Sequence, residues 1–155
     1  MLKTISVAGA LGIGLLLSGC SSSRHSTSDP ASAPAPVVYP PTTIAQAQTL
    51  ARSGDASAIH VVKSETRPSG SCQRPNVYAT VDAGLSGQAL AAAELARFTD
   101  ESSLTAQCGA FLYLFHSASE IAAGGYTAGA VILDGGLLDV YTGDVTSGPA
   151  FEIKQ

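Results

Sequence analysis

Apolar and polar positions follow three rhythms along this chain. Residues 5–17 form an apolar run broken by Gly9, Gly12 and Gly14, and residues 21–41 (SSSRHSTSDPASAPAPVVYPP) show no apolar period. From Thr42 onward the apolar residues recur at helix and strand spacings. Residues 42–52 (TTIAQAQTLAR) predict a helix ended by Gly54, and residues 57–64 (SAIHVVKS) predict a strand. A loop at 66–75, carrying Pro68, Gly70 and Pro75, then returns the chain into a strand at 76–82. There Val77, Ala79 and Val81 share one face. Ser86 is a fair N-cap for a helix at 86–99, where an alanine run with Leu90, Leu95 and Phe98 favours helix.

Residues 109–116 (GAFLYLFH) are apolar on both faces, with Phe111, Tyr113 and Phe115 on one and Leu112 and Leu114 on the other. That pattern predicts a central strand. Residues 117–123 fit a short helix or an extended edge segment. Residues 127–133 and 137–142 predict a hairpin across Asp134-Gly135-Gly136, and Phe151 to Lys154 an added edge strand. Strand, helix and strand between 76 and 116 imply a right-handed βαβ crossover with parallel strands. The expected fold is a small α+β domain at 42–155, with a mixed sheet and helices on one face.

The earlier segments bear on location. The apolar run is shorter than the roughly 20 residues a spanning helix needs, and small residues follow it, so it reads as a signal segment. The run Leu17-Ser18-Gly19-Cys20 resembles the lipobox of bacterial lipoproteins. The resemblance implies a signal peptide at 1–19 and a lipid-modified Cys20 at the new N-terminus, attached to the bilayer. One acyl chain binds marginally, whereas two or three hold stably. Ser21 stands where an Asp would resemble an inner-membrane retention signal. The expected location is therefore the outer membrane, facing the periplasm, with a Gram-positive cell surface as the alternative. Residues 20–41 then act as a Ser/Ala/Pro-rich tether too polar to bury a core. At about 3.1 Å per residue it reaches at most roughly 65 Å.

With Cys20 acylated, Cys72 and Cys108 remain. An exported chain with two remaining cysteines most simply pairs them. Each precedes a predicted strand of the parallel pair. Strands about 4.8 Å apart suit the 4.4–6.8 Å typical between bridged Cα atoms, so pairing and topology support each other.

Charge narrows the functions. Of 8 Lys and Arg, Lys3 leaves with the signal segment, and 12 Asp and Glu remain. The acidic balance argues against nucleic-acid binding, which needs a basic footprint. The basic residues Lys63, Arg67 and Arg74 gather in the 63–75 loop, tied down by Cys72, and form the expected partner-contact surface.

Other chemistry is sparse. Gly84-Leu85-Ser86-Gly87 opens a helix, whose free N–H groups could meet an anion, but it lacks the nucleotide and hydrolase motifs. His116 lies beside Ser117, Ser119 and Glu120, so Ser86 and His116 are the candidate ligand residues. No histidine pair has metal-ligand spacing, and Asp134, Asp139 and Asp144 fit turns better than a calcium loop. No cofactor or metal is expected. The leading expectation is a non-enzymatic interaction or structural module of the envelope with a protein partner. The alternatives are a periplasmic immunity or inhibitor protein, and a small-ligand binder or hydrolase.

Overall fold

The computed structural model describes residues 39–125 and 127–155. Cys20 and His25 lie outside them. Helix α1 spans Ile44–Ser53, its first turn capped by Thr43 Oγ1, which accepts from Gln46 N at 3.3 Å. A 3₁₀ turn at Ala56–Ala58 leads into β1 (Ile59–Ser69) and β2 (Cys72–Val81). Helix α2 (Gly87–Glu101) connects β2 to β3 (Ala110–Phe115). The short α3 (Ala118–Ala123) leads to β4 (Gly129–Asp134), β5 (Leu137–Tyr141) and β6 (Phe151–Lys154).

The six strands form one sheet in chain order, β1 to β6. Only β2 and β3 are parallel; the other neighbours are antiparallel. The domain is α+β, with a mixed sheet, a βαβ unit and helices on one face. The β4–β5 hairpin turns on two glycines, Gly135 and Gly136, both at positive φ. Such paired left-handed positions match the twist of the flanking strands.

One face of the sheet holds Ile59, Val77, Ala79, Leu112, Leu114, Val131, Leu133, Leu138, Val140, Phe151 and Ile153, all buried. Leu90, Leu95 and Phe98 of α2 and Leu50 of α1 join the same core. The helix pair packs closely through small residues. A Cβ at Gly54 would overlap Ala92 O and come 2.7 Å from Ala93 N.

The predicted 66–75 loop is not a loop. β1 and β2 continue as a hairpin to a turn at Gly70-Ser71, pairing Thr66 with Pro75 and Pro68 with Gln73. The prolines are tolerated because neither sits where both strand edges are paired. Pro68 lies on the edge strand, and Pro75 precedes Asn76, where pairing of β2 with β3 begins. Polar alternation hid this arm, because neither side of it faces the core. Its tip, beside the turn, is tied by the Cys72–Cys108 disulfide, with Cα atoms 5.9 Å apart. Cys72 itself opens β2, and Cys108 stands two residues before β3.

Candidate functional site

The second face of the sheet carries side chains that the helical layer does not bury. Cross-strand pairing puts Tyr78 beside Tyr113, Asn76 beside Phe111, Phe111 beside Ile132, and Ala130 beside Tyr141. Tyr78, Phe111, Tyr113, Ile132 and Tyr141 stay partly exposed. The rings of Tyr78 and Tyr113 stack with centroids 5.8 Å apart, and Phe111 meets Tyr113 edge-on at 5.8 Å. Such pairs hold their geometry at about 0.5–1.5 kcal/mol beyond burial, so the stripe is a rigid platform.

The three predicted contact residues frame this platform. Lys63 Nζ lies 5.6 Å from the Tyr78 ring centroid, and the Arg74 guanidinium 3.8 Å from that of Phe111. They are not free cations. Lys63 pairs with Glu65 at 2.6 Å, Arg67 with Glu65 at 3.3 Å, and Arg74 with Asp134 at 3.7 Å. The hydrogen bond from Lys63, first of all, lowers the Glu65 carboxyl below its usual range. Instead of a basic loop, the structure shows an aromatic stripe with a charged rim.

The opposite edge of this face is acidic. Asp139 pairs across strands with Glu152, and burial followed by the Glu152 charge raises the Asp139 carboxyl. Tyr141 is raised by burial, then by Asp139 and Glu152. Tyr113 is raised by burial, then by Tyr78, with Arg74 and Arg67 opposing.

Ser86 and His116 do come together. Both line a cleft of about 460 Å³ beyond the ends of β2 and β3, with Asp82, Thr127, Thr142 and Asp144. Ser86 occupies the N-cap position of α2, but its side chain makes no capping hydrogen bond, contrary to expectation. Among the described residues, no hydrogen bond joins the His116 ring to the side chains of Ser117, Ser119 or Glu120. Glu120 Oε2 accepts from the backbone N of His116 at 2.9 Å, and Ser117 Oγ accepts from Glu120 N at 3.4 Å. These contacts start α3 in the manner of a capping box. Asp82 pairs with His60 at 2.8 Å, and Asp144 accepts from Thr146 N at 2.8 Å.

A further residue escaped sequence reading. Glu94 of α2 is fully buried, and neither carboxylate oxygen has a hydrogen-bond partner among the described residues. Burial raises its carboxyl well above the usual range, so the neutral acid is favoured. Gly129 makes room for it. A Cβ there would overlap Glu94 Oε1 and come 2.8 Å from Tyr141 O. The available signal was spacing: Glu94 lies four residues from both Leu90 and Phe98, on the core stripe of its helix.

Among the described residues, no group of three His, Cys, Asp or Glu side chains could hold a metal ion, and no helix is long and apolar enough to cross a membrane. Comparison with family models, with curated proteins and with solved structures finds no match.

Proposed function

We propose that this protein is a bacterial envelope lipoprotein, anchored through acylated Cys20 to the outer membrane and facing the periplasm. Its domain is a non-enzymatic interaction module that docks a protein partner on the outer sheet face. The observation that carries this reading is the stacked Tyr78–Tyr113–Phe111 stripe, left partly exposed and rimmed by Lys63, Arg67 and Arg74. Aromatic residues and arginine are the side chains that dominate binding energy at protein interfaces. Their internal pairing keeps them ordered before a partner arrives, which lowers the entropy lost on docking.

A photoreactive residue in place of Tyr113 tests the contact face in intact cells. It is expected to yield a discrete crosslinked adduct, while the same probe at Gln48, exposed on α1, yields none. Cys20→Ser is expected to move the protein into the soluble fraction and to diminish the adduct. Equal labelling from both positions would remove the assignment of the contact face. Membrane retention of the Cys20→Ser chain would remove the anchor.

A second reading, a small-ligand site, is favoured by the cleft that Ser86 and His116 share. It differs in the residues a ligand would shield, His116 rather than Tyr113.

A further inference from the structure

We propose that the inner end of the cleft beyond β2 and β3 binds a small organic cation, a primary ammonium compound with a compact apolar body, and that Glu94 of α2 meets its charge. The site is separate from the docking face and does not depend on it.

Glu94 weakens the fold that holds it. It is fully buried, and neither carboxylate oxygen has a hydrogen-bond partner among the described residues. Gly129 lacks the side chain that would collide with it. Residues that break a folding rule without a compensating contact are expected at functional sites.

The carboxyl is directed at the cleft. Cα–Cβ bonds in a helix tilt toward its N-terminus, so the Glu94 side chain lies over the turn that carries Leu90. Leu90 lines the cleft, and α2 starts there at its N-cap, Ser86. The two strands beside the carboxyl lead to the same wall. Gly129 follows Ala128, and Tyr141, whose carbonyl oxygen lies 2.8 Å from where a Gly129 Cβ would stand, precedes Thr142. Ala128 and Thr142 both line the cleft. Glu94 therefore stands one helical turn behind the wall on α2, and one residue behind it on β4 and β5.

The lining selects the sign of the ligand. Among the described residues its carboxylates are Asp82 and Asp144, and no Lys or Arg joins them. Asp82 pairs with His60 at 2.8 Å. Hydrogen bonds from the Thr146 side chain and then its backbone N–H hold the Asp144 carboxyl below its usual range, and so charged. Among the described residues no Lys, Arg or His pairs with Asp144. A cation entering between Leu90 and Thr142 is thus met by Asp144 at the mouth and Glu94 behind. An opposite charge favours the charged form of an acid, so the ammonium draws Glu94 into its carboxylate and the proton leaves to solvent. No group of three His, Cys, Asp or Glu among the described residues could hold a metal ion, which makes the cation an organic one. Leu85 and Leu90 offer an apolar wall for its body, and about 460 Å³ is an ordinary size for a small-molecule pocket. His116 lies on the β3 side, exposed, with β4 between it and the segment after β5, and takes no part.

Amide chemical shifts of the mature chain carrying Cys20→Ser, titrated at pH 7, test the site. The probes are cyclohexylamine, cyclohexanol and cyclohexanecarboxylate, one ring with a positive, neutral or negative head. Cyclohexylamine is expected to bind saturably, with a dissociation constant on the order of 1 mM for so few atoms, and to shift Leu90, Gly129, Thr142 and Asp144. The other two are expected to bind at least tenfold more weakly. Glu94→Met is expected to weaken the amine at least tenfold while its thermal midpoint rises, so damage to the fold does not explain the loss. Asp144→Asn, which retains an oxygen to accept from Thr146, is expected to weaken it several-fold.

Cyclohexanol binding as well as the amine, or a preference for the carboxylate, overturns the cationic ligand and leaves a small-molecule cleft standing. Amine binding unchanged in Glu94→Met overturns the part given to Glu94, and unchanged in Asp144→Asn the part given to Asp144. No saturable shift in the cleft from any of the three, up to about 50 mM, overturns both the cation site and the reading of the cleft as a ligand site.

Discussion

Replacing Cys72 and Cys108 together by serine is expected to lower unfolding free energy by up to about 3.8 kcal/mol. That is the chain-entropy figure for closing a loop of about 37 residues. Against a typical total of about 5–15 kcal/mol it is a large share. The damage should also be local before it is global. Only from Asn76 onward is β2 held on both sides, by β1 and β3. The arm from Thr66 to Pro75 rests on its own ladder and on the disulfide that ties its tip to Cys108. Hydrogen exchange of the double variant should therefore lose protection first in residues 66–75, then across the sheet. Chemical denaturation measures the total, and exchange by mass spectrometry measures the order. Uniform loss across the sheet, with the arm no faster than β4, would contradict the arm's dependence on Cys72–Cys108.

Glu94→Met is expected to raise stability at pH 7 by about 1–3 kcal/mol, the cost of leaving buried polar atoms unmet. The methionine is similar in length and adapts to the space beside Gly129. The pH dependence carries a distinct signature. Below the ordinary carboxyl value of 4.5, Glu94 is neutral folded or unfolded and adds no slope. Above it, the unfolded chain releases the proton while the buried carboxyl keeps it. Folded protein then binds more protons, so stability falls as pH rises, until the raised folded value is passed. At 1.36 kcal/mol per unit, the loss between pH 4.5 and pH 7 is at most about 3 kcal/mol. Glu94→Gln, neutral at every pH, should flatten this part of the profile while keeping a buried polar group. Denaturation midpoints measured from pH 4.5 to pH 8 decide it. An unchanged slope in Glu94→Gln would show that the carboxyl meets water or a counter-charge in solution.

The βαβ unit and the pairing of Cys72 with Cys108 were legible because each rests on a short-range signal. Leu112 and Leu114 alternate with Phe111, Tyr113 and Phe115, marking a central strand. The Asp134-Gly135-Gly136 turn marks its hairpin. The 66–75 arm was not legible, since strand formation there comes from cross-strand pairing and not from an apolar period. The candidate site was half legible. Lys63, Arg67 and Arg74 were singled out as charges, but the side chains they embrace come from other strands. Register, which sequence spacing does not specify, brings Tyr78 to Tyr113 and Asp139 to Glu152. Ser86 and His116 are joined from sequence as candidate ligand residues, and the parallel pairing of β2 with β3 places both beside one cleft. Glu94 was masked by the alanines around it, which say helix without saying which face is buried.

Oxidative footprinting in intact envelopes, compared with dilute purified protein, tests the central claim most directly. If the outer sheet face is where this domain makes its contact, Tyr78, Tyr113 and Tyr141 will label several-fold less in the envelope, and His116 will label equally in both. Equal labelling of the three tyrosines, or protection confined to His116, would contradict it.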